Sequence, residues 1–186
     1  MKKLEDHIYV VDNFLSHAEC DRLIAKSEQM GYEEAKVNMH GKQVLMTMVR
    51  NNLRVLFTDE VYAEMLWEKI KDDVPKQIGY SYAFGLNEML RFYKYEKGHR
   101  FKMHRDGSYQ RNETEASQYS FLIYLNDDFE GGETVFRSGT TIRPKKGSAL
   151  LFLHGLRHEG AVLKEGTKYV LRTDIMYKFI PKNKES

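Results

Sequence analysis

Residues 104–110 read HRDGSYQ, which sets an imidazole and a carboxylate two positions apart. In a strand successive side chains point to opposite faces, so His104 and Asp106 would share one face and reach a common cation while Arg105 turned away. The pair suits a solvated surface equally well, because His-x-Asp arises by chance in many chains. Metal chemistry therefore requires a third ligand. Of the seven histidines, His7 and His17 fall in a front region read as helical, His40 in a polar loop, and His99 directly after a turn glycine, all settings that suit solvated side chains. His154 and His158 remain, in LFLHGLRHEG, and either can end a strand facing HRD.

The residues that follow weigh towards His158. GAVLK reads as a short strand and EGT as a turn, after which Lys168 heads KYVLRTDIMY with Val170 and Arg172 on the same strand face. A cation directed into the interior is costly to bury without an anionic partner, and a carboxylate co-substrate would be one. Two histidines, one carboxylate and such a cation match the facial triad of non-haem Fe(II) oxygenases, which leaves coordination positions open. A zinc hydrolase would favour a helical H-E-x-x-H and tetrahedral geometry, and no such motif occurs here.

The elements that must position these groups lie mostly after residue 80. There NEMLRFYKY, YSFLIYLN, ETVF, TIRP, SALLFLH and KYVLRTDIMY alternate with the turn sequences EKGH, DDFEGGE, RPKKGS and KEGT, at sandwich or barrel spacing. Ahead of them, Ser16-His17-Ala18-Glu19 is a capping box that predicts a helix over about 17–30, with Cys20, Leu23 and Ile24 on one face and Gly31 at its end. A second helix is expected from Thr58 to about Asp73, stopped by Pro75. The expected fold is α+β and mainly β: a jelly roll or double-stranded β-helix with the N-terminal helices on one outer face. The chain reads as a single domain, 1–186, with helical support over about 1–80 and the jelly-roll core over about 81–180.

With 29 Lys and Arg against 27 Asp and Glu, the net charge of +2 gives no sign of an obligate nucleic-acid partner. The lone Cys20 fits a reducing, cytoplasmic setting. MKKLEDHIYVV places acidic residues where a signal peptide would be apolar, and the longest apolar run, ALLFL, is too short to cross a bilayer, so no membrane association is expected. The end of the chain, PKNKES, reads as a frayed tail. Oligomeric state has no signature in the sequence.

The texts RFYKYEKGHRFKMHRDGS, SFLIYLNDDFEGGETVF, KKGSALLFL and HEGAVLKEGTKYVLRTDIMY together resemble, in order and spacing, the 2-oxoglutarate- and Fe(II)-dependent dioxygenases, and within them the prolyl 4-hydroxylase-like branch. The resemblance covers about residues 86–180. It implies iron held by His104, Asp106 and His158, with Lys168 as the partner of the distal carboxylate of 2-oxoglutarate and Tyr124 and Tyr95 beside that co-substrate. It further implies O2 as oxidant, and it admits ascorbate as an accessory reductant. Gly131 and Gly132 would shape the turn that braces the site. The ordinary alternatives are aromatic packing for the two tyrosines and a solvated edge charge for Lys168.

Arg91, sharing a strand face with Asn87 and Tyr93, is the leading candidate for holding a polar group of the prime substrate. Arg172 could compete for the co-substrate, pair with Asp174 or reach the prime substrate. His154 is expected to be a structural neighbour, and the polar 107–118 segment either a lid or an idle loop. The implied reaction is hydroxylation of an unactivated C–H bond with release of succinate and CO2, on prolyl residues of a protein or peptide. The rival readings are hydroxylation of a free amino acid or other small molecule, and a non-catalytic jelly roll that merely binds metal.

Overall fold

The computed structural model describes residues 1–35, 37–39, 42–44 and 48–181, with backbone alone at 37–39 and 42–44. His40 and residues 182–186 of the tail lie outside the described residues. Among the described residues no helix is long and apolar enough to cross a membrane.

Two sheets face one another. In the larger, the neighbouring strands run in the order Lys2–Glu5, Ile8–Val11, Ala149–Leu153, Glu115–Tyr124, Lys168–Phe179, Met89–Tyr95, Leu53–Thr58 and Glu33–Glu34. Ser81–Leu86 pairs with the distal half of Lys168–Phe179. The smaller sheet runs Phe101–His104, His158–Gly160, Thr134–Phe136 and Thr141–Ile142. The neighbouring strands in both sheets are antiparallel.

Alternation along the larger sheet sorts its side chains between two cores. Phe92, Phe121, Ile123, Leu151 and Leu171 point outward and are covered by Cys20 and Leu23 of the helix His17–Met30 and by Ala63, Leu66 and Ile70 of the helix Glu60–Ile70. Tyr93, Tyr95, Tyr124, Leu150, Phe152 and Val170 point inward to the smaller sheet. Covering both faces is why ALLFL is an unbroken apolar run rather than an alternating one. Each fully buried Leu or Phe contributes about 1.5–3 kcal/mol.

The first helix begins as expected: Ser16 accepts from the Glu19 amide and Glu19 accepts from the Ser16 amide. The second starts later than expected, at Glu60, because Thr58 still pairs with Met89 in the sheet and Asp59 caps the Tyr62 amide. It also ends sooner, at Ile70.

The front region read as helical support over about 1–80 also supplies strands at both ends of the larger sheet. His7 lies not in a helix but at φ 63 in the tight turn between the first two strands, with Nδ1 2.6 Å from the Tyr119 hydroxyl. GAVLK is not one strand either. The chain breaks after Gly160 and resumes pairing at Leu163–Glu165 with Glu130–Gly131.

Candidate active site

His104 and His158 are cross-strand partners in the smaller sheet, so antiparallel register alone brings their rings together, with centroids 4.3 Å apart. Each ring has its Nδ1 against the carbonyl two residues earlier, His104 on Lys102 at 2.7 Å and His158 on Leu156 at 3.0 Å. A proton donated there leaves both Nε2 atoms as lone-pair donors. Burial pushes the His158 imidazole down to about 4, more than Asp106 raises it, so it stays neutral at pH 7. Phe101 stacks on His104 at 3.5 Å, and Phe152 meets His158 edge-on at 4.4 Å.

Asp106 lies beyond the strand end at His104, contrary to the simple picture of two ligands on one strand face. Its backbone amide donates to the His154 carbonyl at 3.1 Å, which turns the carboxylate back towards the rings. Oδ1 then lies 3.4 Å from His104 Nε2 and Oδ2 lies 3.7 Å from His158 Nε2. One donor atom from each of the three residues falls within a 4.8 Å cluster. Two imidazole nitrogens, one carboxylate and an open side match the donor set of a 2-His-1-carboxylate metal site.

The carboxylate is itself held. Arg172 Nη1 lies 3.1 Å from Asp106 Oδ1, and the Ser120 hydroxyl donates to Oδ2 at 2.5 Å. Burial would raise the Asp106 carboxyl, but Arg172 and the two histidines hold it well below the usual range. Ser120 also meets His154 Nδ1 at 2.9 Å, and His154 Nε2 meets Ser117 Oγ at 2.9 Å. His154 thus buttresses the site through Ser120 rather than pointing into it. Ser120 shares an inward face with Leu122 and Tyr124 in YSFLIYLN, so alternation would have identified it; Arg50 and Arg54, described below, carried no such signal.

Deeper in the same pocket lies Lys168, only 3% exposed and without an ion pair among the described residues. Its Nζ donates to the Gly132 carbonyl at 2.5 Å and lies 5.1 and 5.5 Å from the ring centres of Tyr95 and Tyr124. Burial, only partly offset by Glu133, pushes the ammonium down to about 7. Burial also raises both tyrosines, Tyr95 to about 12, so their hydroxyls remain neutral donors. Tyr124 shares a 2.8 Å hydrogen bond with Thr134. The pocket's end is therefore a buried lysine with phenolic donors beside it and no ion-paired carboxylate among the described residues.

The expected substrate residues separate. Tyr93 lines both the deep pocket and a wider mouth of about 540 Å³, whereas Arg91 lines the mouth alone and pairs with Asp174 at 3.0 Å. Asn87 does not belong with them: it is buried away from the pocket, its carboxamide accepting from the Met89 amide and reaching Asp174 at 3.5 Å. It precedes the strand rather than sharing its face. Arg172 pairs with Asp174 at 3.1 Å, as one reading anticipated, and with Asp106, as none did. His99 closes a turn by accepting from the Glu96 amide. The 107–118 segment is shorter as a loop than expected, since the strand begins at Glu115, and Ser117 ties down both Ser108 and Tyr109.

Residues 90–173 match the family model of the 2OG-Fe(II) oxygenase superfamily. Across 168 residues the chain is 31% identical to probable prolyl 4-hydroxylase 11 of Arabidopsis thaliana, an alignment covering 80% of this chain and 56% of that protein. Probable prolyl 4-hydroxylase 8 of the same plant is 27% identical, with 80% and 58% covered. The chain thus spans a little over half the length of these curated relatives. The viral collagen prolyl hydroxylase of Paramecium bursaria Chlorella virus-1 superposes with a TM-score of 0.65 at 21% identity, over 92% of this chain and 96% of that one. A prolyl hydroxylase of Trichoplax adhaerens, solved with a hypoxia inducible factor peptide, gives 0.72 at 16%, over 93% and 83%. The structural likenesses show the jelly-roll fold, and the sequence likenesses are to the 2OG-Fe(II) oxygenase superfamily model and to probable prolyl 4-hydroxylases.

Proposed function

We propose that this chain is an Fe(II)- and 2-oxoglutarate-dependent dioxygenase that hydroxylates a C–H bond, acting like a prolyl 4-hydroxylase on a protein or peptide. The observation that carries the reading is one pocket holding both the His104, Asp106 and His158 donor set and, at its end, a buried lysine with no ion pair among the described residues. A jelly roll that only bound metal would have no use for Lys168, and a hydrolase would have no use for a keto-acid pocket.

When bound, Fe(II) with 2-oxoglutarate and O2 supplies the oxidising power, one oxygen atom entering the succinate formed as CO2 leaves and the other becoming the substrate's hydroxyl. His104 and His158 hold the metal through Nε2, and Asp106 holds it through its carboxylate. Arg172 and Ser120 fix the Asp106 carboxylate, so the metal-facing geometry is set before substrate arrives. Lys168 pairs with the distal carboxylate of the co-substrate, and the Tyr124 hydroxyl supports it. Phe101, Leu122 and Val170 supply the apolar lining of the deep pocket around these groups, and Phe152 packs against His158.

Ascorbate as an accessory reductant belongs to this proposal. So does a reducing compartment, in which Cys20, buried and pushed up to about 11 by desolvation, stays a thiol.

Replacing His158 by Ala is expected to abolish metal binding and succinate formation, whereas His154→Ala leaves the metal bound and slows turnover. Calorimetric titration with Mn(II) and a succinate assay read the two effects separately. Metal loss in His154→Ala with retention in His158→Ala would overturn the ligand assignment.

A further inference from the structure

Five arginines line the mouth above the metal site: Arg50, Arg54, Arg91, Arg105 and Arg172. The one acidic residue of that lining is Asp106, which the metal and Arg172 already claim. Arg91 and Arg172 share Asp174, and Arg54 faces Glu33 at 3.7 Å. Arg50 differs. It is 5% exposed, its Nε donates to the neutral Asn52 at 2.7 Å, and its guanidinium lies 4.4 and 4.5 Å from the ring centres of Tyr93 and Phe101. It forms no ion pair, and its buried Nη2 has no hydrogen-bond partner, among the described residues. The neighbouring sequence 36–47, KVNMHGKQVLMT, contains no carboxylate that could serve. The Arg50 guanidinium also hydrogen-bonds the Tyr93 phenol, but no carboxylate pairs with it among the described residues, and a buried guanidinium so placed is held at a cost that a bound anion would lower.

We infer that the mouth recognises a carboxylate on the prime substrate, and that this substrate is a peptide segment carrying an acidic residue close to the residue hydroxylated. The inference rests on the dioxygenase reading and adds the substrate's charge. Arginine forks match carboxylates in two-point geometry, which favours them over lysines for such a role. The local field is strongly positive: burial alone would raise the Tyr93 phenol, yet Arg50, Arg172 and Arg91 together bring it down to about 8. The mouth's size, about 540 Å³, and the exposed apolar side chains of Leu56, Met89 and Tyr109 around it suit several residues of an extended chain rather than a single amino acid.

The test compares labelled peptides that are identical around one proline except for Asp, Asn or Lys at the flanking positions. Their binding is measured with Mn(II) in place of Fe(II) and saturating 2-oxoglutarate, so that the deep pocket is filled and no turnover occurs. The Asp peptide is expected to bind at least about tenfold more tightly than the Asn peptide, with the Lys peptide weakest and the preference fading as salt rises. Arg50→Gln should collapse the Asp-to-Asn ratio towards one, and Arg50→Lys should keep part of it. Equal affinities, or a preference for Lys, would overturn the inference on the wild-type chain alone, whether or not the variants fold.

A parallel succinate assay with Fe(II) uses the same peptides, L-proline and L-prolinamide. Succinate from the Asn peptide as readily as from the Asp peptide would overturn the inference and leave the dioxygenase intact. Selective binding of the Asp peptide with no succinate from any compound would sink the dioxygenase reading and leave the carboxylate site standing. Turnover of L-proline in preference to every peptide would overturn the peptide assignment.

Discussion

Lys168 sits where burial opposes its charge and only Glu133 at a distance offsets it, with no ion pair among the described residues, and that makes its titration a readout of co-substrate binding. The ammonium titrates near 7 in the folded chain, against about 10.4 when exposed to water. Between those values the unfolded chain holds a proton that the folded one lacks, so stability rises with pH across that window by up to about 1.4 kcal/mol per unit. Below about 7 both states are protonated and the contribution no longer changes. A dianion at Lys168 requires the charged form, so 2-oxoglutarate binding should take up a proton above pH 7. Its affinity should weaken by up to about tenfold per unit as pH rises further. Calorimetry in buffers of different ionisation enthalpy measures that uptake. Lys168→Met is expected to raise the 2-oxoglutarate requirement steeply and to abolish the uptake, whereas binding with the same pH dependence in both proteins would move the carboxylate-binding role to Arg172. At this scale the cluster of His104, Asp106 and His158 and the buried Lys168 were legible through the resemblance, since type and spacing alone left His154 open beside His158 and a solvated reading open for Lys168. The groups holding those residues, Ser120 and Arg172 on Asp106, depend on cross-strand neighbours and were only partly so.

Gly131 shows how an element, rather than a side chain, sets the pocket. It holds φ +76, and a Cβ there would lie 2.4 Å from the carbonyl oxygen of Val162, the residue just before the strand it pairs with. Next to it, Gly132 supplies the carbonyl that receives Lys168. Gly131→Ala is expected to add backbone strain of about 1–2 kcal/mol plus the cost of the contact, and so to lower the melting temperature and weaken 2-oxoglutarate binding together. Unchanged binding in a destabilised protein would separate this turn from the pocket. EGGE announced the turn because few other residues tolerate such φ values. The strands at 2–5, 8–11 and 53–58 were less legible. They are short: 2–5 pairs only with its neighbour 8–11, and 8–11 and 53–58 acquire their place by pairing with Ala149–Leu153 and Met89–Tyr95, roughly 30 to 140 residues away. Helices, whose caps and faces are local, were found within a few residues of their ends.

The larger sheet draws on residues from Lys2 to Phe179, so the front of the chain is part of the same core as the site. A single cooperative transition is expected in calorimetry. Deleting residues 1–12 would strip the strand that covers Ala149–Leu153 and leave a wholly apolar strand as a bare edge. Larger species than the full chain in light scattering, with a lower melting temperature, are the expected result; a deletion variant as stable and as dispersed as the full chain would make the front a dispensable appendage. The general layout of helices on a jelly roll followed from period and turn chemistry, whereas strand order did not, because it is a property of the whole. The central claim, a metal site and a keto-acid pocket acting together, is tested most directly in one cuvette. Fe(II) and then 2-oxoglutarate are added without oxygen, the visible spectrum is recorded, oxygen is admitted and succinate is assayed. A weak visible band that needs both additions, followed by succinate, is the predicted result; bound iron with neither band nor succinate would contradict it.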